Sequence, residues 1–282
     1  MDPIPGISPD IYSARDFAAV SRMIYDAVGI VLPQGKAMLV YSRLAPLVRS
    51  TGSVSFARYI ELMRIDAAEL ARAVAALTTN HTFFYREAHH FEHLASELRP
   101  NLIRKLQARE PARLWSAGCS SGEETWSMVM TLLGPDRGQG LDLARRDLAV
   151  LASDIAPHAL AKAKAATYAA KDVQPVPADL RTAWTTTRGE ETMIADPARA
   201  IVRFRQLNLL SDWPMKGRFD AIFCRNVMIY FDAPTNERLV ARYAQALLPG
   251  GYLYIGHSER VTGPAATMLR LVGPTIYKRN EA

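Results

Sequence analysis

The chain has 282 residues, 49% hydrophobic and 22% charged, which is the balance of a water-soluble globular protein with a sizeable core. No apolar run approaches the roughly 20 residues of a membrane span, and the start, MDPIPGISPD, lacks the basic-then-apolar order of a secretory signal. The net charge of +6, from 34 Lys and Arg against 28 Asp and Glu, comes without a long basic run and so gives no nucleic-acid footprint. Two cysteines, Cys119 and Cys224, fall in apolar strand-like surroundings and read as reduced thiols, so a cytoplasmic location is expected.

Residues 13–78 carry apolar side chains at helical spacing: Phe17, Val20, Ile24 and Tyr25, then Leu39, Leu44 and Leu47, then Phe56, Tyr59, Ile60 and Met63. Turn signals at Gly29, Pro33 and Gly52 divide them into a small helical bundle. Across 34–64, Lys36, Arg43, Arg49, Arg58 and Arg64 face only Glu61, which is either a solvated helical face or a surface for an acidic partner. Residues 86–106 read as one connecting helix that Pro100 interrupts or bends. His89, His90 and His93 lie within it, but no further ligand follows at a recognisable spacing, so no metal is expected.

From Ala112 the pattern alternates. ARLWSAG, DLAVLASD, FDAIFC and GGYLYIG read as strands, and stretches near 122–133, 156–166 and 234–248 as helices. Such alternation predicts an α/β fold with a parallel sheet covered on both faces. MLRLV and TIYKR, flanking Gly273–Pro274, predict a closing antiparallel hairpin. Between them, 168–206 breaks the alternation with Pro175, Pro177, Gly189 and Pro197, and reads as an inserted subdomain. The expected organisation is a helical domain over 1–85, a connecting segment over 86–111 and an α/β domain over 112–282.

The chemistry begins at LWSAGCSSGEETWSM, residues 114–128. Small residues from Ser116 to Gly122, including Gly118, let a ligand approach the backbone between a strand and a helix start, where N–H groups are expected to be free. Glu123 and Glu124 in the first helical turn suit the helix dipole but would repel phosphates, so a cationic ligand fits better than a pyrophosphate. Asp154, at the end of the second strand, is either a ribose acceptor at the sheet's carboxyl edge or an N-cap for the next helix. Together the loop and the acid describe a nucleoside site without phosphate chemistry. The glycine spacing is also wrong for a dinucleotide-binding dehydrogenase.

TTNHTFFYRE (78–87), SAGCSSGEE (116–124), RFRQLNLL (203–210), FDAIFCRNVMIYFD (219–232) and LLPGGYLYIGHSE (247–259) together resemble the chemotaxis receptor methyltransferase family, known as CheR. The likeness extends to the amino-terminal GIVLPQGKAMLVYSRL. It implies an all-α amino-terminal domain and a Rossmann-like methyltransferase domain, dependent on S-adenosylmethionine, with a small inserted β-subdomain. It implies transfer of methyl groups to glutamate carboxylates of chemoreceptor cytoplasmic domains, with S-adenosylhomocysteine as product. Alternatives are the same fold acting on another acidic protein, or a non-catalytic scaffold that keeps the cofactor fold. By resemblance Asn80, Thr82 and Arg86 contact the cofactor, as does Glu123 or Glu124, with Asp154 on the ribose, Asn208 and Leu209 beside the adenine, and Arg225 and Asn226 after the third strand. Arg86 and Tyr230 match the residues nearest the transferred methyl.

The chain departs from the family in two places. A dense arginine run in the second amino-terminal helix is here RLAPLVR, with Pro46 between Arg43 and Arg49, so the helix is expected to begin, kink or end there. Cys119 stands where the family often has alanine. In addition, TTTRGEETMIA (185–195) is shorter than the glycine-rich loop by which some members grip a receptor's carboxyl-terminal peptide, and it retains only Gly189. Independence from such a tether is therefore expected.

Overall fold

The structure, a computed structural model, describes residues 7–281. They form two compact units: one runs to Thr79 and includes Tyr230–Thr235, and the other comprises Asn80–Ile229 with the residues from Asn236 onward.

The first unit contains α1 (Ala14–Val28), α2 (Ala37–Ser50), α3 (Phe56–Ile65) and α4 (Ala67–Leu77). Ser13 and Asp16 form a capping box that fixes the start of α1, and Gly29, at φ 70, ends it in the left-handed region. Tyr12, Tyr41 and Phe56 cluster between the helices. Helix α2 continues through Pro46, where a start, kink or end was expected from sequence. A proline inside a helix costs about 3 kcal/mol. Burial of Val40, Leu44, Ala45 and Val48 opposes that cost. Arg43 adds to it, since its guanidinium donates to the carbonyls of Ala76, Leu77 and Thr78 at the end of α4. Arg43 is thus a C-cap for α4 rather than a free charge on a docking face.

In the second unit, α5 (His89–His93) passes through a π-turn at Leu94–Leu98 into α6 (Arg99–Gln107). The cause is Pro100: it has no N–H, and its ring crowds the carbonyl of Ser96. The ladder slips by one residue ahead of it, so that Arg99 N–H bonds Leu94 O, five positions back. The helical run is continuous but not a linker. Phe91, Leu94, Leu98, Leu102 and Leu106 are buried in the core that also holds Leu114, Val150 and Phe223 of the sheet.

The chain then gives β1 (Ala112–Ala117), α7 (Glu123–Leu133), α8 (Arg137–Ala144), β2 (Leu148–Asp154) and α9 (Pro157–Ala165). Next come β3 (Thr167–Ala169), α10 (Ala178–Trp184), β4 (Thr185–Arg188), β5 (Glu191–Ile194), α11 (Asp196–Ala200) and β6 (Val202–Gln206). It closes with β7 (Phe219–Cys224), α12 (Ala233–Ala246), β8 (Leu247–Ile255), β9 (Leu269–Gly273) and β10 (Ile276–Arg279). The main sheet has the order β6-β2-β1-β7-β8-β10-β9, parallel from β6 to β8 and antiparallel at β10 and β9. Strands β3, β5 and β4 form a separate antiparallel sheet.

One element corrects the sequence reading. The insertion was expected to reach 206, yet β6 (Val202–Gln206) pairs in parallel with β2 from Val150–Val202 to Asp154–Gln206. VRFRQ alternates as an edge strand does, with Val202 and Phe204 buried and the arginines outward, so it lacks the apolar run of the central strands. The chain leaves β1 toward β2 and β6, then returns to its other side at β7. The carboxyl end of β1 is therefore the topological switch point, where open α/β sheets bind ligands.

Candidate cofactor site

The turn after β1 is shaped by backbone constraint. Gly118 sits at φ 80, and a Cβ there would lie 2.4 Å from Val227 Cγ2; Gly122, at φ 98, would meet the Tyr168 hydroxyl at 2.7 Å. Only glycine satisfies both the positive φ and the close approach. Free N–H groups were expected here from sequence, but those of Gly118, Cys119, Ser120 and Gly122 are engaged within the protein. Gly118 and Cys119 both donate to Ser153 O, Gly122 donates to Cys119 O, and Ser120 donates to Asp154 Oδ2 at 2.8 Å.

Asp154 is the centre of the arrangement. It is buried, and its other oxygen accepts from Ala156 N at 2.9 Å, so it latches the β1 turn and fixes the approach to α9. Burial raises its pKa, against the pull of its backbone donors. A carboxylate has about four lone-pair sites, and backbone N–H groups of Ser120, Ile155 and Ala156 act on this one, so room remains for a ligand hydroxyl. The N-cap expected as one reading of Asp154 is not formed, because Ala156 holds that position and α9 has no side-chain cap.

The first block closes over this turn. Asn80 O accepts from Ser120 Oγ, and Asn80 Nδ2 lies 3.0 Å from His158 Nε2 on α9. Tyr85 N–H donates to Ser127 Oγ on α7. Thr82 lies in the loop between these anchors, partly exposed. Arg86 is also partly exposed; it donates to His81 O, and its guanidinium lies 5.7 Å from the Phe83 ring centroid.

The two acids of the GEE block have different surroundings. Glu123 accepts from Ser121 Oγ and faces Lys162 on α9 at 3.5 Å. Glu124 accepts from Ser116 Oγ on β1 at 2.8 Å and pairs with Arg225 at 3.3 Å. Burial raises the pKa of Glu124, and Arg225 opposes that rise. Arg225 itself does not present a free guanidinium to a ligand. Its side chain is 2% exposed, lies over the Phe91 ring, donates to Arg86 O, and stands between Glu124 and Glu87. Burial opposes ionisation of Glu87, but Arg225 and His257 prevail and its pKa is lowered. Sequence reading missed Glu87 as a structural partner; the signal was the acid that ends TTNHTFFYRE beside Arg86.

On the adenine side expected from the resemblance, Asn208 Oδ1 accepts from Leu210 N, and Leu209 is buried. Leu209 O and Ser211 O accept from Arg242 on α12, whose guanidinium lies 4.0 Å from the Trp213 ring centroid. Asn226 follows β7 at φ 58. Asp154, Glu123, Glu124, Asn80, Arg86, Asn208, Leu209, Arg225 and Asn226 all belong to the second unit. Tyr230 ends a 3₁₀ turn (Met228–Tyr230) and belongs to the first, where its carbonyl accepts from Val31 N.

The histidines expected to be free of metal each have a separate oxygen partner. His89 lies 3.0 Å from Pro274 O, His90 2.9 Å from Thr275 Oγ1 and His93 2.9 Å from the Tyr254 hydroxyl. Burial depresses the pKa of His90 to about 3, which keeps it neutral. His257, expected in strand-end hydrogen bonding, faces the Glu87 carboxylate at 3.0 Å. Cys119 and Cys224 are both buried free thiols.

A carboxylate with acceptor capacity left at the switch point, a glycine-shaped turn and acids instead of cations at the helix start suit a cationic nucleoside. The family model described as CheR methyltransferase, SAM binding domain, matches residues 80–277, and the CheR methyltransferase all-alpha domain matches 15–78. The chain belongs to the CheR methyltransferase family. The second unit is the family's S-adenosylmethionine-binding domain, and the chain is an S-adenosylmethionine-dependent methyltransferase. A protein of Rhizobium etli named a probable chemotaxis protein methyltransferase is 40% identical over 91% of this chain and 96% of its own. Chemotaxis protein methyltransferase 2 of Pseudomonas aeruginosa is 39% identical over 98% of this chain and 96% of its own, and the chemotaxis protein methyltransferase of Escherichia coli 36% over 94% and 91%. No helix among the described residues is long and apolar enough to cross a membrane.

Proposed function

We propose that this enzyme esterifies glutamate side chains on the cytoplasmic domains of chemotaxis receptors, acting in the cytoplasm. The observation that carries the reading is near-full-length similarity to proteins named chemotaxis protein methyltransferases. A glutamate carboxylate is ionised at neutral pH and needs no general base to act as nucleophile. When bound, S-adenosylmethionine supplies a methyl on a sulfonium whose sulfur leaves as the neutral thioether of S-adenosylhomocysteine. The protein's task is then orientation and exclusion of water, which in favourable cases is worth about 7–11 kcal/mol. In this reading Asp154 accepts from the ribose, Asn80, Thr82 and Gly118 line the turn above it, and Asn208 and Leu209 flank the adenine. Glu124 faces the cofactor's cationic end, because its carboxylate lies toward β1 and β7, whereas that of Glu123 is turned to Lys162.

Arg86 is assigned to the acceptor carboxylate, and Tyr230 to the transfer step on its place in the FDAIFCRNVMIYFD block alone. Arg86→Ala and Tyr230→Phe are each expected to lower turnover about ten- to hundredfold, the worth of one hydrogen bond to a charged group, with little change in melting temperature. The test is transfer of labelled methyl from S-adenosylmethionine to receptor cytoplasmic domains, followed by mapping of base-labile esters. Wild-type turnover by both folded variants would remove these residues from the reaction, and label in a base-stable linkage would remove the ester.

The enzyme works without a carboxyl-terminal receptor tether. The β4–β5 hairpin turns tightly at Gly189, with φ 60, and carries Glu190 and Glu191. It thus has little loop to receive a peptide and repels an acidic one. Titration with an aromatic, acidic pentapeptide is expected to show no micromolar binding, and methylation is expected to survive removal of a receptor's tail. Micromolar binding that maps to 168–206 is the contrary result.

A further inference from the structure

Glu259 has no part in the site assigned above, yet it makes the densest set of hydrogen bonds around the turn that follows β7. Its carboxylate is buried, 4% exposed. Oε1 accepts from Val227 N at 2.9 Å, Met228 N at 2.7 Å and Ile229 N at 3.3 Å. Oε2 accepts from Asn226 N at 3.1 Å and from Gly256 N at 2.5 Å. Four consecutive N–H groups converge on one carboxylate, and the fifth comes from the end of β8. Such convergence requires a backbone that curls around an anion, and Asn226, at φ 58, supplies the left-handed step that curls it. A buried N–H without an acceptor costs about 1–3 kcal/mol, so no neutral side chain of similar size replaces this carboxylate without loss.

We infer that Glu259 is a positioning residue for cofactor binding: it holds residues 226–229 in the one conformation that places Asn226, and the Val227 side chain against Gly118, at the cofactor turn. The second link is geometric, because the Cβ that Gly118 lacks would lie 2.4 Å from Val227 Cγ2; a shift of Val227 moves the wall of the β1 turn. The inference rests on the reading that Asn226 lines the cofactor.

Glu259→Gln is the test. Its amide N–H₂ opposes either the N–H groups of Asn226 and Gly256 or those of 227–229, so one side of the turn is released. Calorimetry with S-adenosylhomocysteine, well below the variant's melting temperature, is expected to show affinity reduced at least about tenfold. The KM for S-adenosylmethionine rises while the KM for the receptor domain is unchanged, a split that general loss of stability does not produce. Asn226→Ala is measured beside it. Weakened binding in both variants supports the inference. Weakened binding in Asn226→Ala alone, with folded Glu259→Gln at wild-type affinity, overturns it and leaves the Asn226 reading intact. Wild-type affinity in both removes the inference and the Asn226 reading together. If Glu259→Gln does not fold, amide exchange in the cofactor-free wild type decides. Amides 226–229 are expected to exchange as slowly as those of β7, and fast exchange overturns the inference.

Discussion

Asp154→Ala is expected to reduce affinity for S-adenosylhomocysteine by about a hundredfold or more, while the protein remains folded. Three losses combine. The ribose loses an ionised acceptor, worth about 1.5–3 kcal/mol. Ser120 N–H and Ala156 N–H lose theirs too, at about 1–3 kcal/mol for each that stays buried, and part of that falls on the shape of the β1 turn. Every 1.4 kcal/mol is a tenfold change in affinity. Asp154→Asn keeps one acceptor oxygen but sets a donor against one of the two backbone donors, so an intermediate loss is expected. Titration calorimetry beside thermal unfolding separates the two effects, and a folded Asp154→Ala variant of unchanged affinity excludes this carboxylate from the site. The pH dependence has a definite sign. Burial raises the native pKa of Asp154 above 3.8. In the ligand-free protein this group therefore adds stability as pH falls through the raised value toward 3.8. Cofactor affinity runs the other way, because protonation removes an acceptor.

The largest effect on stability is expected from Arg225→Met. The guanidinium is enclosed with two carboxylates, Glu87 and Glu124, and removing it leaves both in a site with little water. Breaking a buried pair from one side typically costs about 3–5 kcal/mol. For a unit of this size that is a fall in melting temperature of roughly 6–20 °C. Adding Glu87→Gln and Glu124→Gln is expected to recover part of the loss, since no buried charge is then uncompensated. The acid limb gives an independent check. The lowered pKa of Glu87 contributes stability that is present above 4.5 and lost as pH falls through its native value. Without Arg225 the largest lowering influence on that pKa is gone, so the contribution shrinks. Urea unfolding of wild type and variant from about pH 7 down to pH 3 measures it. A stability within about 0.5 kcal/mol of wild type would show that the carboxylates find other partners.

The sequence by itself determined the fold class and pointed to the segments proposed for the site. Apolar runs bounded by small or charged residues placed β1, β2, β7 and β8, because strands buried on both faces need continuous apolar character. The same local logic found the β1 turn and Asp154, since positive φ and an acid at a strand end are written in single residues. It did not resolve β6, whose outward arginines are what an edge strand tolerates, and it expected a start, kink or end at Pro46 where the helix runs on. Those outcomes depend on partners distant in the chain, such as the pairing of β6 with β2 and the Arg43 cap on α4. The roles of the charged residues were likewise decided by tertiary structure alone. Arg225 reads from its motif as a ligand contact, and the fold encloses it between carboxylates 101 and 138 residues earlier in the chain, Glu124 and Glu87. Glu259 reads as the last letter of a strand-end block, and the fold gathers around it the N–H groups of a turn some thirty residues away. A charged side chain takes its meaning from what it is buried against. Periodicity and local spacing report which faces are buried, but not which buried charges meet.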